Sequence, residues 1–216
     1  MESFTLIQKI AIWALPVLFA ITVHEVAHGW VASKLGDPTA KMLGRITLNP
    51  LKHIDPLGTV IIPLVLLTLG GFIFGWAKPV PVTWTNLKKP RRDVALVAAA
   101  GPGANFIMAL IWAGLLKLGL VLHPAGYNVA TLLVYMGQAG VLINIVLMIL
   151  NLLPIPPLDG SRVLSSFISP TAARWLAGVE IYGFLILVLL LATGILGQII
   201  GPPIYAIYRF IIQLIA

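Results

Sequence analysis

Apolar positions in this chain gather into runs long enough to cross a bilayer, and the polar residues collect in the joints between them. Phe4 to Leu35 reads as one long helix, most apolar through Phe19 to Val23, interrupted by Pro16 and leaving the membrane near Lys34, Gly36 and Asp37. The joint from Asp37 to Pro56 is polar, and within it Leu43 to Leu48 has the short pattern of a strand. Leu57 to Gly75 is apolar again, with Pro63 and a Gly70-Gly71 pair, and runs into Trp76 to Val82, whose prolines Pro79 and Pro81 favour extended, edge-strand backbone. A basic stretch, Lys88 to Asp93, precedes a second long helix from Val94 to Leu122 and a third from Ala130 to Leu153, ended by Pro154, Pro156 and Pro157. Trp175 to Leu196 is a fourth spanning candidate, whereas Ile204 to Ala216, at 13 residues, is short for a span and leaves a spanning and an interfacial helix both open.

Composition fixes the solvent. Of the 216 residues, 59% are hydrophobic and 10% charged, and the mean hydropathy is +1.01, beyond what a water-soluble domain tolerates. The fold class expected is an all-α membrane protein, a polytopic transmembrane helix bundle with a small membrane-associated β element. The first run carries His and Glu and lacks a small-residue cleavage site, so it is expected to be a retained helix rather than a signal peptide. Neither a repeat nor a polar stretch long enough for its own core is evident, which predicts a single domain over residues 1–216, with a core at about 5–162 and C-terminal helices at about 172–216. The net charge of +7 comes from residues clustered between apolar runs, a pattern that orients a membrane protein and does not suit nucleic acid. With no cysteine in the chain, any metal must rest on His, Asp or Glu.

One motif carries chemistry. His24-Glu25-Val26-Ala27-His28 places two imidazoles four residues apart on a helix, about 40° around and about 6 Å along, where they can share a metal. Glu25 lies about 100° from His24, beside such a metal, where a carboxylate can act as general base. Three ionisable groups in five residues at bilayer depth each cost a few kcal/mol unless ligated or paired, so packing alone does not account for them. A catalytic zinc needs a third protein ligand and an open position. Asp37 and Asp55 stand among basic residues, where solvated charge is their expected role; Glu180 begins a later helix; Asp159 follows the proline run and is tethered by Gly160, so it can turn back into the bundle, although an ordinary Asp-Gly turn is the alternative. His53 and His123 are read as interfacial and roleless respectively, and Trp76, Trp84 and Trp175 as interfacial anchors.

The spacing His24-Glu-x-x-His28, then Gly101-Pro-x-x-Asn105, then Asn151-x-x-Pro-x-Pro-Pro-Leu-Asp159-Gly160, resembles the site-2 proteases, a family of intramembrane zinc metalloproteases. The segments Gly44 to Pro50 and Gly75 to Val82 resemble its short members, so the likeness covers about Ile21 to Arg162 and implies a short member without a PDZ-like or CBS-like domain. The resemblance implies one Zn2+ held by His24, His28 and Asp159, Glu25 as general base, and Asn151, with Asn105, as substrate-binding groups. It implies transmembrane proteins as substrates, cleaved within the bilayer after local unwinding, and strand pairing of substrate with Leu43 to Leu48 or Ala77 to Val82. Two rivals remain open: a non-catalytic metal carrier or scaffold, which would not need Glu25, and a membrane zinc enzyme taking Glu180 as third ligand.

Topology follows if Asp159 meets the histidines. His28 lies six residues before Lys34, about 9 Å below the exit of the first helix, and the third long helix must open on that same face. Two spans between them satisfy this, so Leu57 to Gly75 is expected to be re-entrant, turning at Gly70-Gly71. That arrangement puts Lys34, Lys41, Arg45, Lys52, Lys78, Lys88, Lys89, Arg91, Arg92, Arg162 and Arg174 on one face against Lys9 and Lys117, with Arg209 unassigned. By the positive-inside rule the N-terminus is then outside and the active site near the cytoplasmic face of a multi-pass cell-membrane protein.

Overall fold

The computed structural model describes residues 5–62, 65, 75–125 and 128–215. Helix α1 (Leu6–Leu35) opens with a capping box: the Thr5 hydroxyl accepts from Gln8 N–H, and the Gln8 side chain accepts from Thr5 N–H. It closes at Gly36, whose φ of 117° only glycine adopts without strain and whose N–H donates to Ala32 O. A short helical turn, α2 (Thr39–Met42), and single turns at Pro50–Lys52, Pro56–Ile61 and Trp84–Asn86 punctuate the joint that follows. Then come α3 (Pro90–Leu122), α4 (Asn128–Asn151), α5 (Asp159–Ser165), α6 (Pro170–Gly178), α7 (Glu180–Ala192) and α8 (Ile195–Ile215). Among the described residues four helical segments are long and apolar enough to cross a membrane: Ile12–Leu35, Pro90–Leu122, Val129–Asn151 and Ile195–Ile215. The chain is a multi-pass membrane protein.

Packing within lipid depends on close backbone approach, and α3 meets α4 through glycine. A Cβ built on Gly137 would lie 2.8 Å from Leu116 N, and one on Gly140 would strike the Trp112 ring. Around that contact Ala109, Trp112 and Ala113 of α3 bury against Val141, Ile145 and Met148 of α4 and Ile211 of α8. A second cluster, Ala32, Leu87 and Val97, seals the exit of α1 against the start of α3. There Lys88 N–H donates to Leu35 O at 3.2 Å, so residues 36–89 leave and return at one end of α1.

Three expectations need correction. No strand forms among the described residues, so the small β element at Leu43 to Leu48 and Ala77 to Val82 is not there. Pro79 and Pro81 bring no N–H to a ladder, Arg45 Nη2 donates to the carbonyls of Lys78 and Pro79, and Lys78 N–H is taken by His53 O. Trp175 to Leu196 is not one straight helix: α6 and α7 meet at Val179 with a bend of 63°, the form of a broken span or of a re-entrant loop. The last helix begins at Ile195 and runs through Pro202 and Pro203, making it 21 residues rather than 13, since proline inside a membrane helix is tolerated where neighbours and local adjustment satisfy the freed carbonyls. The expected re-entrant turn at Gly70-Gly71 lies outside the described residues.

Candidate metal centre

His24 and His28 project from one face of α1 with their Nε2 atoms 3.1 Å apart. What makes that proximity informative is the other nitrogen of each ring. His24 Nδ1 lies 2.6 Å from Asn105 Oδ1, and His28 Nδ1 lies 2.7 Å from Val97 O. Both partners accept only, so each Nδ1 carries the proton and each Nε2 presents a bare lone pair. Asp159 Oδ2 completes the group at 3.2 Å from His24 Nε2 and 3.3 Å from His28 Nε2, buried and without a hydrogen-bond donor. Three lone pairs facing one another in a low-dielectric interior repel unless a cation lies between them. Ligand bonds of about 2.0–2.1 Å in a tetrahedron give ligand-to-ligand edges of roughly 3.3–3.4 Å, so the three atoms stand near the spacing zinc requires. His24, His28 and Asp159 are the one such cluster among the described residues.

Each of the three side chains is delivered by a local feature of the chain. The α-helical register of α1 aligns the two imidazoles, and α3 crosses them at Gly101, where a Cβ would press on His28 Nε2 and come within 2.6 Å of His24 Nε2. Space for an ion exists because residue 101 has no side chain. Asp159 opens α5, where the helix N-terminus favours a carboxylate, and Gly160 behind it packs so closely on the carbonyls of Leu152 and Leu153 that no side chain fits.

Asn105, expected to meet substrate, is fully buried, and its amide is engaged within the bundle. Its Oδ1 receives His24 Nδ1–H, while Nδ2 donates to Ala20 O at 3.1 Å and to Asn144 Oδ1 at 2.9 Å; Asn144 Nδ2 in turn donates to Gly140 O. Asn144 went unnoticed in the sequence, although an Asn in the apolar run of α4 is costly unless bonded. Asn151, the last residue of α4, donates to Leu147 O and is half-buried. Glu25 is half-buried, and its Oε2 accepts Val80 N–H at 2.7 Å.

The other candidates are occupied elsewhere. Glu180 pairs with Arg162 at 3.1 Å, Asp55 caps Gly58 N–H, and buried His53 donates from Nε2 to Thr47 O. Arg162 also lies over Trp84, 5.0 Å from the ring centroid. Asp37 departs most from expectation: it is wholly buried rather than solvated, and accepts from Thr39 N–H and hydroxyl, Thr83 N–H and Asn86 Nδ2. Burial pushes its carboxyl up, but those hydrogen bonds outweigh burial and hold the pKa below the ordinary 3.8.

Residues 12–128 and 120–192 match Peptidase family M50. The chain is 40% identical over 194 residues, covering 88% of its length and 84% of the relative, to a Bacillus subtilis protein named "Putative zinc metalloprotease YwhC". It is 32% identical, over 89% of the chain and 71% of the relative, to "Putative zinc metalloprotease Rip2" of Mycolicibacterium smegmatis, and 28% identical, over 85% and 68%, to the protein of that name in Mycobacterium tuberculosis. No solved structure gives a significant match. With family, relatives, membrane-length helices and a His-His-Asp cluster in agreement, the chain belongs to peptidase family M50, the site-2 protease family, and is a zinc metalloprotease.

Proposed function

We propose that the protein hydrolyses peptide bonds in or near transmembrane segments of other membrane proteins, with His24, His28 and Asp159 holding one zinc ion per chain and Glu25 acting as general base. The observation that carries this reading is the convergence at 3.1 to 3.3 Å of three bare donor atoms, two from the membrane-length helix α1 and one from the start of the short α5. Zinc held there would supply Lewis acidity toward the scissile carbonyl and toward water. The chain's own groups supply the rest. Val80 N–H fixes Glu25 Oε2, so Oε1 takes the proton of the attacking water and returns it to the departing amine. Asn105 holds the His24 ring rather than substrate, and Asn151, at the end of α4 beside the Asp159 turn, binds substrate backbone. A transmembrane substrate must unwind locally before its carbonyl is accessible, which exposes backbone groups that need such partners.

The clustered Lys and Arg of residues 34–92 support a cytoplasmic location for the end of α1 where residues 36–89 leave and return, hence an active site near the cytoplasmic face. Metal analysis and cleavage together test the assignment. Glu25→Gln should retain roughly one zinc per chain and lose cleavage, whereas His24→Ala, His28→Ala or Asp159→Ala should lose both. Full zinc retention by Asp159→Ala after removal of free metal would sink the ligand set. Comparison of membrane proteomes from cells carrying wild type or Glu25→Gln identifies substrates as proteins that accumulate uncleaved.

A further inference from the structure

Residues Trp76 to Thr83 form a strip that crosses α1 on the face of Glu25 and Gly29. A Cβ on Gly29, one turn beyond Glu25, would lie 2.8 Å from Val80 Cγ1, 3.1 Å from Ala40 Cβ and 3.3 Å from Ile46 Cγ1, so the strip lies flat there because the helix offers no side chain. Pro79 and Pro81 flank Val80 and have no N–H, leaving Val80 as the one backbone donor of that tripeptide, and it goes to Glu25 Oε2 at 2.7 Å. A charge-assisted bond of that length restrains the carboxylate.

The strip is held from both ends. Trp76 N–H bonds Gly58 O and Lys78 N–H bonds His53 O at one end; at the other, Asp37 Oδ2 accepts Thr83 N–H at 2.7 Å, and its Oδ1 receives Asn86 Nδ2 at 2.9 Å and Thr39. Asp37 follows the C-cap of α1 directly, so it fixes the strip to the same helix that carries His24, Glu25 and His28. Nothing in the zinc ligand set requires this buried carboxylate.

We propose that Asp37 is a positioning residue: by holding Thr83 and Asn86 at the exit of α1 it sets the strip so that Val80 N–H aims Glu25 at the site. The inference rests on Glu25 being the base. Asp37→Asn is a selective cut, because an amide oxygen in the Oδ1 position keeps the Thr39 and Asn86 contacts while its NH2 faces Thr83 N–H and loses that bond. Thr83→Pro removes the same bond from the other side, at a residue whose φ of −94° is not far from proline's range.

The test uses the full chain in proteoliposomes with a quenched-fluorescent probe, an apolar helix of about 20 residues interrupted by Gly and Pro. In Asp37→Asn, kcat should fall on the order of tenfold with KM within about twofold and zinc content unchanged. In a Val80→Pro background, where the donor to Glu25 is already gone, Asp37→Asn should have no further effect on kcat. Hydrogen exchange across residues 76–84 should quicken about tenfold or more in both Asp37→Asn and Thr83→Pro, with that of residues 94–118 unchanged, a readout that needs no turnover. Additive losses in the double variant, or unaltered exchange in residues 76–84, overturn the proposal. Wild-type turnover by Glu25→Gln would instead defeat the base assignment, so the two failures are distinct.

Discussion

Replacing Gly101 with Ala separates what the metal centre needs from what the helix prefers. Ala is about 1 kcal/mol better than Gly inside a helix, so on backbone grounds α3 should gain. The methyl, however, would stand 2.6 Å from His24 Nε2 and closer still to His28 Nε2, where ordinary contact begins at 3.4 Å, so α1 and α3 must part by more than about 0.8 Å or the imidazoles must turn away. Metal–ligand distances tolerate roughly 0.2 Å, and Gly101 faces the bare Nε2 atoms themselves. The displacement therefore exceeds the tolerance more than fourfold. Zinc affinity should fall by on the order of 100-fold or more, while overpacking at about 1–3 kcal/mol equals or exceeds the helix gain in the metal-free protein. Zinc titration against a chelating indicator gives the affinity, and thermal unfolding with chelator present gives the stability. A Gly101→Ala protein that binds one zinc with wild-type affinity would refute the reasoning, because the methyl cannot coexist with the ion in this geometry.

Asn105→Ala leaves His24 Nδ1–H and Asn144 without their buried partners, and zinc affinity should drop about 10- to 100-fold with all three ligands intact; unchanged affinity by the same titration would place the control of His24 elsewhere. Single cysteines at Thr39 and Thr85, in a chain that has none, should react with an impermeant thiol reagent from the same side of sealed oriented vesicles, since Leu35 and Lys88 are bonded; reaction from opposite sides would contradict that return. Asp37 has a lowered native pKa, so its contribution to stability is complete above the unfolded value near about 3.9 and is lost as pH falls through the lowered native one. A nitroxide at Thr85 should therefore keep its restricted spectrum from pH 7 down to about pH 4 and gain mobility only below, and a transition between pH 5 and 7 would be inconsistent with the clamp.

The parts of this protein legible in its sequence are those decided locally. The α1 ligand pair is a matter of helical spacing, and Gly36 marks the helix end. Asp159 could be singled out only with help from the family pattern, because its arrival at the histidines depends on a chain reversal over residues 152–158 and on α3 and α4 bringing α5 back to α1. Asp37 was misread for the same reason in reverse. Its neighbours Lys34 and Lys41 suggest a solvated loop, but its partners Thr83 and Asn86 lie 46 and 49 residues away, and no periodicity encodes them. The Asx-type bond to Thr39, two residues on, was the one local sign that its side chain has structural work. The pattern at Ala77 to Val82 suggests a strand that does not form, because its hydrogen-bonding groups are drawn off by Glu25, Arg45 and His53.

The run of bonds from Gly140 O through Asn144 and Asn105 to His24 links α4, α3 and α1 across the buried centre of the bundle. In lipid, side chains gain little by leaving the surrounding hydrocarbon, so apolar surfaces alone would let one helix roll against its neighbour at small cost. Hydrogen bonds do not permit that freedom: turning α1 by one residue, about 100°, would carry His24 away from Asn105 and leave buried polar groups unpaired on both sides of the seam. The rotation of each of these three helices about its own axis is thereby tied to the orientation of a single imidazole. Any drift in how the scaffold assembles is registered directly at the candidate metal centre.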